Sequence, residues 1–223
     1  MNDLLIFTPI NPTRPFVEEL TELHRLNVQD SIKYCEKQFK DYGVDYVEKE
    51  CLLLPSMQNR GQCRGQNVIK NFNRVYEEKG ADYRYLCKWD DDILLPPRML
   101  YRAIELMERE RAVGVGLLQE NYGAPTILMV NQRKDGFIGS FQRFYIYKVK
   151  VWGSVPCTLG GITGDPDQPY QQSIQGKKIV LNTPCIHIDH RSCFHGKVMK
   201  RDLYKVLLDL SYFNYITLRK TIV

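Results

Sequence analysis

Tyr83-Arg84-Tyr85-Leu86-Cys87-Lys88-Trp89-Asp90-Asp91-Asp92-Ile93-Leu94-Leu95-Pro96-Pro97 sets three adjacent carboxylates between two apolar runs. Carboxylates this close repel one another. At an effective dielectric near 20 and ~5 Å, each pair costs roughly 3 kcal/mol. A surface loop relieves that repulsion with water, whereas a cluster pinned at a strand end calls for a cation. A hard divalent ion, Mg²⁺ or Mn²⁺, fits oxygen ligands best. On an extended backbone Asp90 and Asp92 point to one side and Asp91 to the other. Asp92 is therefore expected as the direct metal ligand. Asp90 is expected as a helper, through water or toward a ribose, and Asp91 as an acceptor for backbone N–H groups at the next helix.

The alternation around this stretch sets the fold class. Leu4–Phe7 reads as a buried strand ending at Thr8-Pro9, and Pro15 suits the first turn of a helix. Phe16, Leu20, Leu23, Val28, Ile32, Cys35 and Phe39 recur at helical spacing, with Gly43 as a stop. Val44–Leu53 reads as a second strand, 55–65 as a polar loop, and Val68, Phe72 and Val75 as a helix. Tyr83–Trp89 is the third strand. Pro96-Pro97 opens a helix through Met107, and Val113–Leu118 is strand-like. This β/α order predicts a mostly parallel sheet covered by helices, with ligands beyond the carboxyl ends of its strands.

The second half predicts strands at Thr126–Val130, Phe137–Val151, Lys178–Leu181 and Cys185–Asp189. A long Gly/Pro/Asp loop spans Gly153–Tyr170. Lys197–Leu210 reads as an amphipathic helix with Met199, Leu203, Val206, Leu207 and Leu210 on one face. No linker composition separates the halves. One domain is expected over 1–223, with a nucleotide-side half to about residue 120 and an acceptor-side half after it.

The 223 residues carry 43% hydrophobic and 26% charged side chains, ordinary for a globular chain. No run approaches the ~20 apolar residues of a membrane span, and the N-terminus lacks the pattern of a signal peptide. Seven cysteines, odd in number and without a CxxC pair, suggest reduced thiols and a cytoplasmic setting. The net charge of +5 equals the excess within 191–223, seven Lys/Arg against two Asp. That basic end suits a membrane face, a nucleic acid or another anionic acceptor.

Asn59-Arg60-Gly61-Gln62-Cys63-Arg64-Gly65-Gln66-Asn67, followed by the aspartate stretch and Pro96-Pro97-Arg98-Met99-Leu100, resembles nucleotide-sugar glycosyltransferases of the GT-A fold. It is most similar to the inverting family-2 type. Gly161-Ile162-Thr163-Gly164-Asp165-Pro166-Asp167 and Gly176-Lys177-Lys178-Ile179-Val180 resemble that family's later block. There Asp165-Pro166-Asp167 stands where the family usually shows Glu-Asp.

The resemblance implies transfer of a sugar from a nucleoside-diphosphate sugar to an acceptor hydroxyl, with Mn²⁺ or Mg²⁺ as cofactor. The acceptor is a glycan, a protein, a lipid or a modified nucleic acid. Asp167, with Asp165 as the alternative, would be the base. His190 would be a third metal ligand, with His187 beside it. Nucleotide recognition would draw on Thr8, Pro9, Arg14, Arg60, Arg64 and Asn67. Glu48 or Glu50 would reach the base or ribose, though as exposed edge charges they need no such role. Rival readings remain. They are nucleotidyl transfer on a sugar phosphate, a nucleic-acid-binding module built on the basic tail, and zinc held among Cys185, His187, His190, Cys193 and His195.

Overall fold

The computed structural model describes residues 2–12, 16–51, 60–117, 128–130, 141–156, 168–181, 183–188 and 201–220. The larger sheet follows the order β2-β1-β3-β7-β5-β8. Its strands are β1 (Asn2–Ile10), β2 (Val44–Glu50), β3 (Tyr83–Trp89), β5 (Gly114–Leu117), β7 (Gln142–Lys148) and β8 (Lys178–Val180). β1 runs parallel to both β2 and β3, and β5 runs parallel to β8, while β7 is antiparallel to β3 and β5. A smaller antiparallel sheet, β4-β9-β6, is formed by β4 (Ile93–Leu94), β9 (Pro184–His187) and β6 (Leu128–Val130). The expected mixed α/β architecture with a mostly parallel sheet is the observed one.

Period-two alternation divides the core. Leu4, Ile6, Tyr85, Cys87 and Trp89 face α1 (Val17–Gln38) and α3 (Arg98–Arg109). Leu5, Phe7 and Leu86 face the other side, against Val68, Ile69, Phe72 and Val75 of α2 (Arg60–Lys79). With both faces covered, β1 and β3 read as nearly continuous apolar runs, as buried parallel strands do.

Several boundaries differ from expectation: the strand expected over Phe137–Val151 ends at Lys148, where a 3-10 turn (Val149–Val151) follows, β9 runs from Pro184 to His187, and three further differences have a physical reason. β1 continues to Ile10, pairing Pro9 with Lys49 and Ile10 with Glu50. Pro9 fits there because the β1–β3 pairing ends at Phe7 and Lys88, so the missing N–H breaks no ladder on that side. α2 begins at Arg60, although Gly61 and Gly65 give that segment the composition of a loop. After the short helix α4 (Gln168–Ser173), the last helix, α5, spans Arg201–Lys220, and among its described side chains Leu208, Ser211 and Tyr215 are buried. Val206 and Leu210, expected on the buried face, are exposed at 52% and 44%. The physical reason lies in Asp30 of α1, which accepts hydrogen bonds from Tyr215 Oη at 2.9 Å and Arg219 Nη2 at 2.8 Å. That anchoring turns the Tyr215 stripe inward.

Candidate active site

β3 carries its aspartates to the carboxyl edge of the sheet, where the chain turns instead of staying extended. The Ile93 N–H donates to the Asp90 carbonyl at 3.1 Å. This closes a turn with Asp91 and Asp92 at its corner. Side-chain alternation therefore does not hold here, and the three carboxylates point to three different sets of partners.

Asp90, 6% exposed, faces two cations. Lys88 Nζ lies 2.8 Å from Oδ1 and Arg143 Nη1 lies 3.4 Å from Oδ2. Burial pushes the Asp90 carboxyl up, but Lys88 and Arg143 outweigh it and hold the pKa below the ordinary value. Lys88 is itself buried, lying across the Tyr145 ring at 5.7 Å. Arg143 sits in β7 with φ 59°, a left-handed backbone that costs a non-glycine residue about 1–2 kcal/mol. Nearby the β5–β7 register shifts between Gly116 and Leu117, as it does where a strand bulges. The Arg143 carbonyl accepts the Asp90 N–H at 2.7 Å, so both main chain and side chain bind this residue to the turn.

Asp91 Oδ2 accepts the N–H of Asn11 at 3.3 Å, linking the turn to the end of β1. Asp92 is fully buried, and its Oδ2 lies 3.6 Å from Nε2 of His187 in β9. The Ile188 N–H donates to the Asp92 carbonyl at 2.9 Å, and Ile93 pairs with His187 across the smaller sheet. β9 is flanked by β4 and β6, so Ile186, His187 and Ile188 are all buried, at 1%, 2% and 2%.

A carboxylate and an imidazole at this separation suit a shared divalent ion. Two ligands each ~2.1 Å from one metal stand about 3–4 Å apart. The pair Asp92/His187 therefore fits as part of a metal centre. Among the described residues no third His, Cys, Asp or Glu completes a cluster.

Behind the turn, α1 supplies a buried polar support that sequence reasoning missed. Asn27 donates through Nδ2 to the Leu95 carbonyl at 2.7 Å and accepts the Leu95 N–H at 2.8 Å. Its amide thus acts like an added strand. His24 Nε2 lies 3.1 Å from the hydroxyl of Thr8, and its ring meets Trp89 edge-on at 5.6 Å. Burial lowers the His24 pKa to about 4, against a smaller upward pull from nearby carboxylates. Trp89 Nε1 donates to the Ile93 carbonyl at 2.8 Å and ties the two ends of the turn together. The one legible signal at the site is Lys88, a charge inside the apolar run from Tyr85 to Trp89.

The other expected site residues fall in several places. Thr8 lies inside the sheet, fully buried beside His24, instead of at a strand exit. Asn67 is half-buried in α2, two turns in from the helix start at Arg60. Arg60 and Arg64 belong to the same helix, with their side chains outside the described residues. Arg14, Asp165, Asp167, His190, Cys193 and His195 also lie outside the described residues. Cys185 is buried, at 4% exposed. Glu48 is not an unengaged edge charge, since Arg25 Nε donates to Oε1 at 2.7 Å and the Tyr46 hydroxyl donates to the same oxygen at 2.7 Å. On α5, Lys205 pairs with Asp209 and Arg219 with Asp30. No helix among the described residues is long and apolar enough to cross a membrane.

No family model matches the chain, and no curated protein matches it. Solved structures do. One is a glycosyltransferase involved in the glycosylation of the major capsid of PBCV-1, at TM-score 0.50 and 9% identity over 93% of this chain and 99% of that one. Another is the Drosophila beta-1,4-galactosyltransferase 7, a mutant in complex with manganese, UDP-Gal and xylobiose, at TM-score 0.43 and 13% identity over 92% and 80%. A third is S. aureus TarS, at TM-score 0.44 and 12% identity over 96% and 71%. At these identities the likeness is one of fold, and the fold is the mixed α/β architecture of GT-A glycosyltransferases.

Proposed function

We propose that the chain is a glycosyltransferase, moving a sugar from a nucleoside-diphosphate sugar to an acceptor hydroxyl with Mn²⁺ or Mg²⁺ bound at Asp92. The observation that carries this is the facing pair Asp92 and His187 on the carboxyl edge of the sheet, where open α/β sheets bind ligands. His190 is the proposed further ligand. The ion, when bound, neutralises the negative charge that develops on the departing diphosphate.

The chain's own groups divide the remaining work. Lys88 and Arg143 hold Asp90 as a paired anion, which leaves Asp92 as the carboxylate directed to a cation. Asp91, through Asn11, keeps the turn in register with the end of β1. Asn27 and Trp89 hold the strand that follows, so the site is organised before substrate arrives. Asp167, or Asp165, is the proposed base. It takes the proton from the acceptor hydroxyl as that oxygen bonds to the anomeric carbon. The bond from that carbon to the diphosphate oxygen breaks, and its electron pair leaves with the nucleotide. Attack from the opposite face inverts the anomeric configuration, and a carboxylate suits the oxocarbenium-like transition state.

The test is turnover of a panel of nucleotide sugars by wild type and Asp92→Asn. Wild type is expected to hydrolyse or transfer one donor only with Mn²⁺ or Mg²⁺. The variant is expected to lose at least ~10²-fold, the usual effect of removing one stabiliser of developing charge. Metal-independent turnover, or equal turnover by Asp92→Asn, would reject the proposal.

A further inference from the structure

α5 is apolar on two faces. Its inner stripe, Leu208, Ser211 and Tyr215, is buried, and Tyr215 and Arg219 are tied to Asp30 of α1. Leu208 and Tyr215 pack with Leu94, Ile186 and Ile188, the last two on either side of His187. Val206, Leu210 and Phe213 follow one another at steps of four and three residues, so they form a second stripe on the opposite face. All three are exposed, Phe213 at 68%, and so is Tyr212 to one side of them. Among the described residues these four are the exposed large hydrophobic side chains. One such residue needs no explanation, whereas four gathered on one helix mark an interaction surface. The inner stripe holds the helix to the fold, which leaves the outer one for a partner.

We infer that this outer stripe docks on an anionic lipid surface. Charge points there. Lys200 and Arg201 precede the stripe in the chain and Arg219 and Lys220 follow it. Residues 191–223 hold seven Lys/Arg against two Asp, which is the whole excess of the chain. Asp209, beside the stripe, is neutralised by Lys205 at 2.8 Å. An apolar ridge bracketed by cations suits a helix lying in the headgroup layer of a bilayer. Leu and Phe reach the acyl boundary there, and Lys and Arg meet the lipid phosphates.

Two other occupants fit less well. A second copy would set the same +5 segment against this one. Four partly exposed side chains also fall short of the ~800 Å² per partner that a stable protein complex buries. A nucleic acid would engage the cations and stack on Phe213, but it has no use for Val206 and Leu210. A lipid surface requires neither a fixed area nor a matching shape. Docking would also orient the candidate active site. Because Leu208 packs against Ile186 and Ile188, the lipid surface would lie one helix away from the strand that carries His187.

The experiment is cosedimentation of the full chain with vesicles of phosphatidylcholine alone, or of phosphatidylcholine with about 30% phosphatidylglycerol, at about 0.1 M and about 0.5 M salt. It is repeated on the double variant Leu210→Ser/Phe213→Ser, first checked for wild-type melting. Should its melting differ, Phe213→Ser alone takes its place. Wild type is expected to bind the anionic vesicles at least ~10-fold more tightly than the neutral ones at the lower salt, and to lose most of that preference at the higher. The variant should bind anionic vesicles more weakly by ~10-fold or more, the effect of losing large apolar side chains from the lipid contact. No binding to anionic vesicles, equal binding to both kinds, or binding that survives the substitution overturns the inference. A wild-type dimer in sedimentation velocity that the variant dissociates would give the stripe to a second copy. Binding of a duplex oligonucleotide that the variant abolishes would give it to a nucleic acid. Either result overturns the inference as well.

Discussion

Lys88 is the residue on which the acidic turn most depends. It and Asp90 are both buried and 2.8 Å apart, and Arg143, at 3.4 Å, is a longer and more exposed second partner for the carboxylate. Removing one member of a buried pair typically costs 3–5 kcal/mol, because the partner is left uncompensated. Lys88→Met is therefore expected to destabilise the protein by about 3–5 kcal/mol in urea denaturation. Its double variant with Asp90→Asn should recover much of that loss. This pairing was partly legible, since a lysine amid Tyr85, Leu86, Cys87 and Trp89 stands out on sight. Arg143 was not, because neither a left-handed residue nor a register shift leaves a mark in composition. Nor was the direction of each aspartate legible. That depends on the turn closed by Ile93 and Asp90, and an extended reading sends the side chains elsewhere.

Among the elements, α1 has a second task beyond covering the sheet. Asn27 makes two hydrogen bonds to the Leu95 main chain at a fully buried position. Asn27→Ala would leave a buried N–H and a buried carbonyl unmatched, at about 1–3 kcal/mol each. A loss of roughly 2–6 kcal/mol is expected from that sum. Faster hydrogen exchange at Leu95 should accompany it, with the far end of β3 unaffected.

The legibility of an element follows from physical causes. β3 shows in the sequence from Tyr83 to Trp89 because strands buried on both faces are apolar runs with sharp ends. The start of α2 is masked in composition because its first turns carry Gly61 and Gly65. α5 offers two stripes, Val206/Leu210/Phe213 and Leu208/Ser211/Tyr215. Hydrophobicity alone favours the first, whereas the partner at Asp30 selects the second. Tyr215→Phe is expected to lower stability by about 1 kcal/mol or more, the value of one buried hydrogen bond, whereas Val206→Ser should do little. Melting temperatures of the two variants separate these expectations.

For the molecule as a whole, pH acts through His24. Its pKa falls from 6.5 unfolded to about 4 folded, because burial disfavours the charged ring. Between those values the unfolded chain binds the extra proton, so the contribution of His24 falls as pH drops from about 6.5 to 4 and stays level below that. The difference amounts to about 3 kcal/mol. Urea titrations at pH 7 and pH 5 should show about 2 kcal/mol of it, and His24→Gln should flatten that part of the profile. Because His24 touches Thr8 and Trp89, acid weakening is expected to begin at the carboxyl edge of the sheet. The alternation of elements made the fold class readable, while the assembly of Asp92 with His187, 95 positions apart in the chain, required the smaller sheet to be formed.

The central claim is that Asp92, facing His187, takes a divalent ion that the nucleotide diphosphate then shares. Titration of Mn²⁺, followed by its electron paramagnetic resonance signal, tests this most directly in wild type and Asp92→Asn, each with and without GDP or UDP. Wild type should bind one Mn²⁺ more tightly when the preferred diphosphate is present, by ~10-fold or more, the range in which coupling between sites is usually found. Asp92→Asn should bind none above background. Mn²⁺ binding that is the same in both proteins, or that is indifferent to nucleotide, would contradict the account.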